Sequence, residues 1–430
     1  MVQVRVLLLL LLRCCDRCFC SSRHGLLLTT AIAASAPPAT GYYLRRSPPL
    51  PAAGHSFSAI TLTDADVPSE LITLFDYAGI VAVDESGQVE VRAGTRLRDL
   101  NDELAALDPP LALVNLGATA AQTVSGATQT GTHGTGRKIG SMSTQITAMR
   151  LVDSDGAVHA VTADDAVFEA ARVGLGAFGV VSTVTLQAVP LFNMRKTTWD
   201  MPMAAFFDAH DALCEAYERL QWSFVPYSGV VNVVVREVTD EVPIDGAGCW
   251  DPPTGPDPNS CVDVSYKTLV DSLDHYDNRT LYTEMEMFIP VEDVLPAVAD
   301  FVAFQASVEA QHNASQGALF TNIRYIAGDD ITLSPMNGRD SAVISMIVEG
   351  NQEHTGAPAE FALYAQGLEN LVTGKYAARA HWGKQNWATE TDIVANYGSD
   401  RVARFNELRE TLDRADMFTN AYLRERVAGE

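Results

Sequence analysis

Residues 88–93 alternate polar and apolar side chains up to Gly94, a period of two that predicts a half-buried strand. Leucines at 97, 100 and 104 then recur at helical spacing, so a helix is expected over 96–104 with Thr95 as its cap. Residues 146–152 and 157–161 read as strands joined by the turn Asp153-Ser154-Asp155-Gly156. Further strands are expected at 71–74, 80–83 and 180–189, with a helix at 164–171. Beyond 191 the segments lengthen: helices over 203–220 and 291–310, and strands over 230–235, 283–289, 320–326 and 342–348. That alternation suits an antiparallel sheet covered by helices, and the end of the chain, within 371–430, reads as helical. The pattern predicts a mixed α+β protein rather than a run of βαβ units.

With 430 residues, 47% of them hydrophobic, the chain is long enough for two domains of ordinary size. Its formal charge of −24 repels nucleic acid and anionic surfaces, and no basic patch interleaved with aromatics offsets this, so nucleic-acid binding is excluded. Residues 1–50 differ from the rest. Apolar runs at 6–12 and 26–36 fall short of a bilayer span, and four of the seven cysteines sit between them. This stretch reads either as a signal or transit leader or as a misjoined start. Cys249 and Cys261 lie in an irregular Pro/Gly-rich insertion at 240–262 and can be bridged in an oxidising compartment or free in a reducing one. Together with the sequons at Asn278 and Asn313, they lean toward the secretory pathway.

The run 126–136 holds four glycines and four threonines in eleven residues. Such a loop is either a nest of backbone N–H groups for a diphosphate or an ordinary tight turn. It lacks the spacing of the two common phosphate loops. Glu286 and Arg324 fall on predicted strands in apolar surroundings, where an unpaired charge is costly. They are read either as a structural salt bridge or as a pair in a substrate pocket. Glu284 points the same way only if its strand is regular, and it ranks below Glu286. No metal-ligand spacing stands out, and no metal is expected.

Several segments, in order from about 50 to 425, resemble the aldonolactone oxidases related to vanillyl-alcohol oxidase. They include Gly54-His55-Ser56-Phe57-Ser58, 89–94, 113–117, 125–136, 174–179 and Glu284-Met285-Glu286-Met287-Phe288-Ile289-Pro290. Arg324 with Leu333-Ser334-Pro335, His381-Trp382-Gly383-Lys384 and the ending around 405–423 complete the series. The resemblance implies a two-domain α+β fold of the vanillyl-alcohol oxidase/PCMH type. An FAD-binding domain would occupy 51–190 and a cap domain with an antiparallel sheet 191–370, while 371–430 returns to the FAD domain. The front of the FAD domain is expected to be truncated or replaced by residues 1–50.

The same resemblance implies FAD, attached covalently through His55. Ser56, Ser125, Gly126, Thr130, Gly131, Thr132, His133, Gly134, Gly136 and Gly179 would line it. Glu286, Arg324, His381 and Lys384 would form the catalytic pocket. The implied reaction converts a sugar lactone to an ascorbate-type product and peroxide, with oxygen or another electron acceptor. An alditol or carbohydrate oxidase and a cofactor-free relic are the alternatives. Relatives of this kind are commonly membrane-associated, in the endoplasmic reticulum or in mitochondria.

Overall fold

The computed structural model describes residues 30–32, 56–61, 70–74, 76–225, 228–243, 249, 257, 259–271, 282–312, 319–349 and 359–428. The strands β1 (Ile80–Val83) and β2 (Gln88–Arg92) pair as expected from the alternation. Val89 and Val91 point into the core while Gln88, Glu90 and Arg92 stay partly exposed. Helix α1 (Leu97–Ala105) follows and buries Leu97, Leu100 and Leu104 completely. Thr95 does not cap it. Its hydroxyl instead accepts Gly79 N–H at 2.8 Å and donates to the Arg92 carbonyl at 2.7 Å, so Arg96 holds the cap position, with no capping bond from its side chain to the helix.

Strands β3 (Ile146–Val152), β4 (Val158–Thr162) and β5 (Val180–Gln187) complete an antiparallel sheet in the order β1-β2-β5-β3-β4. An antiparallel sheet here excludes the open parallel nucleotide-binding fold. The helix expected over 164–171 shrinks to Phe168–Ala171, because the Asp165 carboxylate accepts from Thr162 N–H and holds its start as a turn.

A second sheet of eight strands follows. Its members are β6 (Asn193–Pro202), β7 (Arg219–Phe224), β8 (Val230–Thr239), β9 (Ser260–Val264), β10 (Tyr282–Pro290), β11 (Leu319–Ile326), β12 (Ser341–Glu349) and β13 (Arg379–Ala380). They are ordered β9-β6-β8-β7-β11-β12-β10-β13, and every neighbouring pair is antiparallel. Helix α2 (Met203–Ala216) is shorter than the expected 203–220. The residues after it form β7, where Leu220, Trp222 and Phe224 alternate inward with Gln221 and Ser223. Pairing with strands on both sides overrides local helix propensity there.

Helices α2, α3 (Val294–His312) and α4 (Ala359–Tyr376) cover one face of this sheet. Phe206, Phe301, Phe361 and Leu368 pack there against Trp222, Val233, Met287 and Ile344. The opposite face mixes polar side chains with Phe320, Val234 and Ile347 and with an apolar cluster of Phe288, Ile326 and Val343. After β13, helices α5 (Glu390–Tyr397) and α6 (Ser399–Leu412) join the apolar cluster of the first sheet, with the Phe405 ring 5.0 Å edge-on to Phe178. Met194, Leu269, Ile331 and Leu333 belong to the same cluster. Cys249 and Cys261 are bridged. Among the described residues, no helix is long and apolar enough to cross a membrane.

Beneath the polar face, the Tyr325 hydroxyl accepts Trp222 Nε1–H at 2.8 Å and lies 2.7 Å from His210 Nε2. All three side chains are buried. Tyr325→Phe leaves the indole N–H without an acceptor, and the expected loss is about 1–3 kcal/mol of stability. A lower urea midpoint with an unchanged m-value would show it; an unchanged midpoint would mean the hydroxyl contributes nothing net.

Candidate active site

A cavity of about 700 Å³ opens between the polar face of the eight-stranded sheet and the segment 118–133, in the size range of small-molecule and cofactor sites. Cross-strand pairing lines up one row of side chains along that face: Glu286, Ser345, Asn322, Ser223 and Asn232, on β10, β12, β11, β7 and β8. Four strand spacings make this row roughly 19 Å long. Arg324 and Gln221 form a neighbouring pair.

The segment 381–385 is laid against β10 by backbone bonds. His381 N–H donates to the Glu286 carbonyl and Gln385 N–H to the Glu284 carbonyl, both at 3.0 Å. Trp382 Nε1 anchors the turn on the Leu333 carbonyl at 2.7 Å. Phe57 N–H reaches the Gly383 carbonyl at 2.8 Å, and Gln385 Nε2 returns a bond to the Phe57 carbonyl. This frame brings His381 and Lys384 to the carboxylates of β10.

Glu286 is 2% exposed and accepts from Ser345 Oγ at 2.9 Å and from Arg324 Nη2 at 3.4 Å. His133 Nε2 lies 3.6 Å and His381 Nε2 3.8 Å from its other oxygen. Glu284, also buried, is ion-paired with Lys384. Because β10 is regular, both glutamates reach the cavity. Burial opposes the charge on Glu286, but Lys384, His133 and Arg324 together hold it well below the usual carboxylate range. Burial pushes the Glu284 carboxyl up to about 7 against the pull of Lys384, with the Glu286 charge adding to the rise. Burial also drives His381 down to about 3, so its imidazole is neutral. Lys384 is raised despite burial, by Glu284 and Glu286.

One ligand atom each from His133, Glu286 and His381 falls within 4.8 Å of the others, a spacing that would suit a metal ion. However, Gly383 N–H donates to His381 Nδ1 at 3.0 Å, which puts the proton of this neutral ring on Nε2. His381 therefore turns an N–H toward Glu286, not a lone pair.

All four residues expected to be catalytic, Glu286, Arg324, His381 and Lys384, line the cavity. Of the expected cofactor contacts, so do Ser56, Ser125, Gly126, Thr130, Thr132, His133 and Gly179. Gly131, Gly134 and Gly136 are not part of the lining and serve the loop itself. A side chain at Gly134 would stand 2.2 Å from Asn115 Oδ1, and Gly136 N–H donates to the Tyr325 carbonyl at 2.7 Å. Gly131 turns the chain at φ 77°. His55 lies outside the described residues.

Glu284, placed below Glu286 on the sequence, reaches the cavity as well, and the lining also holds Gln122, Gln221, Ser223, Asn232, Arg236 and Asn322, which the sequence did not single out. The available signal was the spacing of two between Gln221 and Ser223, and between Asn322 and Arg324, which puts each pair on one face of its strand.

A model of the D-arabinono-1,4-lactone oxidase family matches residues 257–426, and one of the FAD binding domain matches 51–162. An L-gulono-1,4-lactone dehydrogenase of Mycobacterium tuberculosis is 30% identical over 410 residues, covering 87% of this chain and 89% of its own length. The L-gulonolactone oxidase of Mus musculus is 31% identical, with 86% and 87% covered. A cholesterol oxidase from Brevibacterium sterolicum superposes with a TM-score of 0.69 at 17% identity over 86% of this chain and 88% of that one. This likeness shows the fold, an FAD-binding unit with an antiparallel cap of the vanillyl-alcohol oxidase type.

The cavity wall fits a flavin. Gln122 Oε1 is buried there without a partner, an acceptor for a ring N–H or amino group. Gly176 has open space where a side chain would project. Gly179, at φ +114°, packs so closely that a Cβ would stand 2.3 Å from the Val152 carbonyl oxygen. That position admits no side chain.

The raised Glu284 carboxyl has a thermodynamic consequence. Between its ordinary value of 4.5 and about 7, the native state keeps a proton that the unfolded chain has lost. Stability from this group is therefore present below pH 4.5 and declines as pH rises toward 7. Glu284→Gln should flatten that decline in urea unfolding measured from pH 4.5 to 7.5. Parallel pH profiles for variant and wild type would show that Glu284 does not titrate there.

Proposed function

The chain belongs to the aldonolactone oxidase family, and from that premise we propose that it oxidises a sugar 1,4-lactone, D-arabinono-1,4-lactone or L-gulono-1,4-lactone. Oxygen is the acceptor, and the products are an ascorbate-type keto-lactone and hydrogen peroxide. The observation that carries this reading is the buried group Glu284, Glu286, Arg324 and Lys384, which faces a cavity whose other wall fits a flavin. The bound FAD supplies the two-electron oxidant for the carbinol carbon.

The chain's own residues position the lactone. Glu286 is held by Ser345 and Arg324, so its orientation is set before substrate arrives. Arg324 has only a single 3.4 Å bond to Glu286, and its Nε–H is buried without a partner. Its remaining donors are available to lactone oxygens. Lys384 stays charged beside Glu284 and stabilises negative charge that develops in the pocket. Preorganised donors of this kind cost no rearrangement during the reaction.

The alternative, an alditol or other carbohydrate oxidase, draws on the polar row from Glu286 to Asn232, which offers partners to a longer chain of hydroxyls. We assign 51–190 with 371–430 to the FAD domain and 191–370 to the cap, and we attach the flavin to His55. Support for the attachment is that Ser56, the next residue, lines the cavity. The Cys249–Cys261 bridge favours an oxidising compartment, hence the secretory route over the mitochondrion.

A peroxide assay over a panel of lactones and alditols tests the substrate class. Flavin-loaded protein that turns over none of them would refute it. Arg324→Lys keeps the charge but loses the guanidinium fork, and the expected fall in kcat/KM is roughly 10²–10³-fold. In acid-denatured protein the yellow flavin should stay with the chain, and His55→Ala should release it. Complete release from the wild type would remove the covalent link and leave the oxidase reading standing.

A further inference from the structure

The cavity holds two imidazoles, and the backbone sets them in opposite tautomers. His381 receives a peptide N–H on Nδ1, so its Nε2 carries the proton and can only donate toward the pocket. His133 has the reverse arrangement. Its Nδ1 lies 2.9 Å from the Gly134 carbonyl, an oxygen that can only accept, so the proton sits on Nδ1. In the neutral ring, His133 Nε2 is then the lone pair. It is buried, lines the cavity and has no hydrogen-bond partner. The ring is fixed edge-on to Phe288 at 5.0 Å.

The other basic groups around it are engaged. Glu284 is paired with Lys384, and Glu286 accepts from Ser345 and Arg324. Glu286 Oε2, 3.6 Å from His133 Nε2, is too far for a normal hydrogen bond but close enough to stabilise a positive ring.

We propose that His133 is the catalytic base, taking the hydroxyl proton from the carbinol that is oxidised. This rests on the carbinol-oxidase reading above. The O–H bond breaks and its proton goes to His133 Nε2. FAD, when bound, would supply the two-electron acceptor for the hydride of the breaking C–H bond, so that the carbon–oxygen bond becomes a carbonyl. The Glu286 carboxylate, held by Ser345 and Arg324, balances the imidazolium that forms, with the His381 N–H 3.8 Å from the same oxygen.

His133→Asn separates this role from a structural one, because the Asn amide can still donate to the Gly134 carbonyl while Nε2 is lost. Flavin absorbance should match the wild type, and titration with L-gulono-1,4-lactone should perturb it with wild-type affinity. Turnover should fall by roughly 10²–10⁴-fold. Added imidazole should restore part of the turnover of His133→Ala. Wild-type turnover by the Asn variant would overturn the proposal, as would loss of lactone binding with flavin retained. A flavin-loaded Ala variant that imidazole does not rescue would also count against it. A wild type that turns over neither lactones nor alditols would overturn the carbinol reading itself, and the base with it.

Discussion

Two carboxylates and two cations share one buried space, and the rest of the site is arranged around keeping them paired. The side chains of Glu286, Glu284, Arg324 and Lys384 are only 2%, 4%, 8% and 19% exposed. Taking such groups out of water is costly, and removing one leaves its partner uncompensated. The pairing therefore requires three pieces of chain to meet: β10 for the glutamates, β11 for the arginine and the 381–385 turn for the lysine. Backbone bonds from 381 and 385 to β10 are the structural means, and the Trp382 anchor on Leu333 fixes the turn from behind. A group of charges arranged this way is poor evidence for stability and better evidence for chemistry.

The eight-stranded sheet makes that group possible because its two faces carry different solvents. On one, α2, α3 and α4 supply an apolar cover. The other faces the cavity, and many of its side chains there are polar and partly hydrogen-bonded to each other, beside an apolar cluster of Phe288, Ile326 and Val343. Arg236 illustrates the principle: its guanidinium is bound to the Thr268 carbonyl, Gln221 and Asp271, so its burial is compensated at each nitrogen. Asn322 differs, since its Oδ1 is buried with no partner, as is Arg324 Nε on the same strand. Unsatisfied groups cluster where a ligand would satisfy them.

Much of this was legible in the residues. The alternation at 88–93, the leucines of α1 and the strands carrying Glu286 and Arg324 all follow from period alone. What escaped has physical causes. Strand β6 contains Arg195-Lys196-Thr197-Thr198, with little apolar period to read, because most of its positions are only partly buried. The helix expected over 203–220 overlaps β7 at Arg219 and Leu220, and the rest of that strand carries no expectation, since its identity comes from neighbours more than ninety residues away in one direction, at β11. Glu284 ranks below Glu286 on the sequence because its direction depends on a regular β10, and its pairing with Lys384 is a contact across 100 residues of chain that local pattern does not show. Gly131, Gly134 and Gly136 announced a loop, but Gly126 lies in the short helix Val124–Thr128, and the sequence did not show which glycines line the cavity and which relieve crowding within the loop.

The two histidines show how little of the site's chemistry resides in residue identity. A histidine side chain can present a donor or an acceptor, and sequence cannot choose between them. Here the choice is made by the neighbouring backbone: a carbonyl at Gly134 for His133, an amide N–H at Gly383 for His381. Gly134 sits against Asn115 and Leu116 with no room for a Cβ, so its carbonyl is held in place by that contact. Gly383 N–H is aimed by the same turn that delivers Lys384 to Glu284. The loop and the turn thus set proton positions as well as side-chain positions, with Glu286 between an acceptor on one side and a donor on the other. A base and a charge-balancing carboxylate need that asymmetry, and a symmetric pair of imidazoles would not supply it.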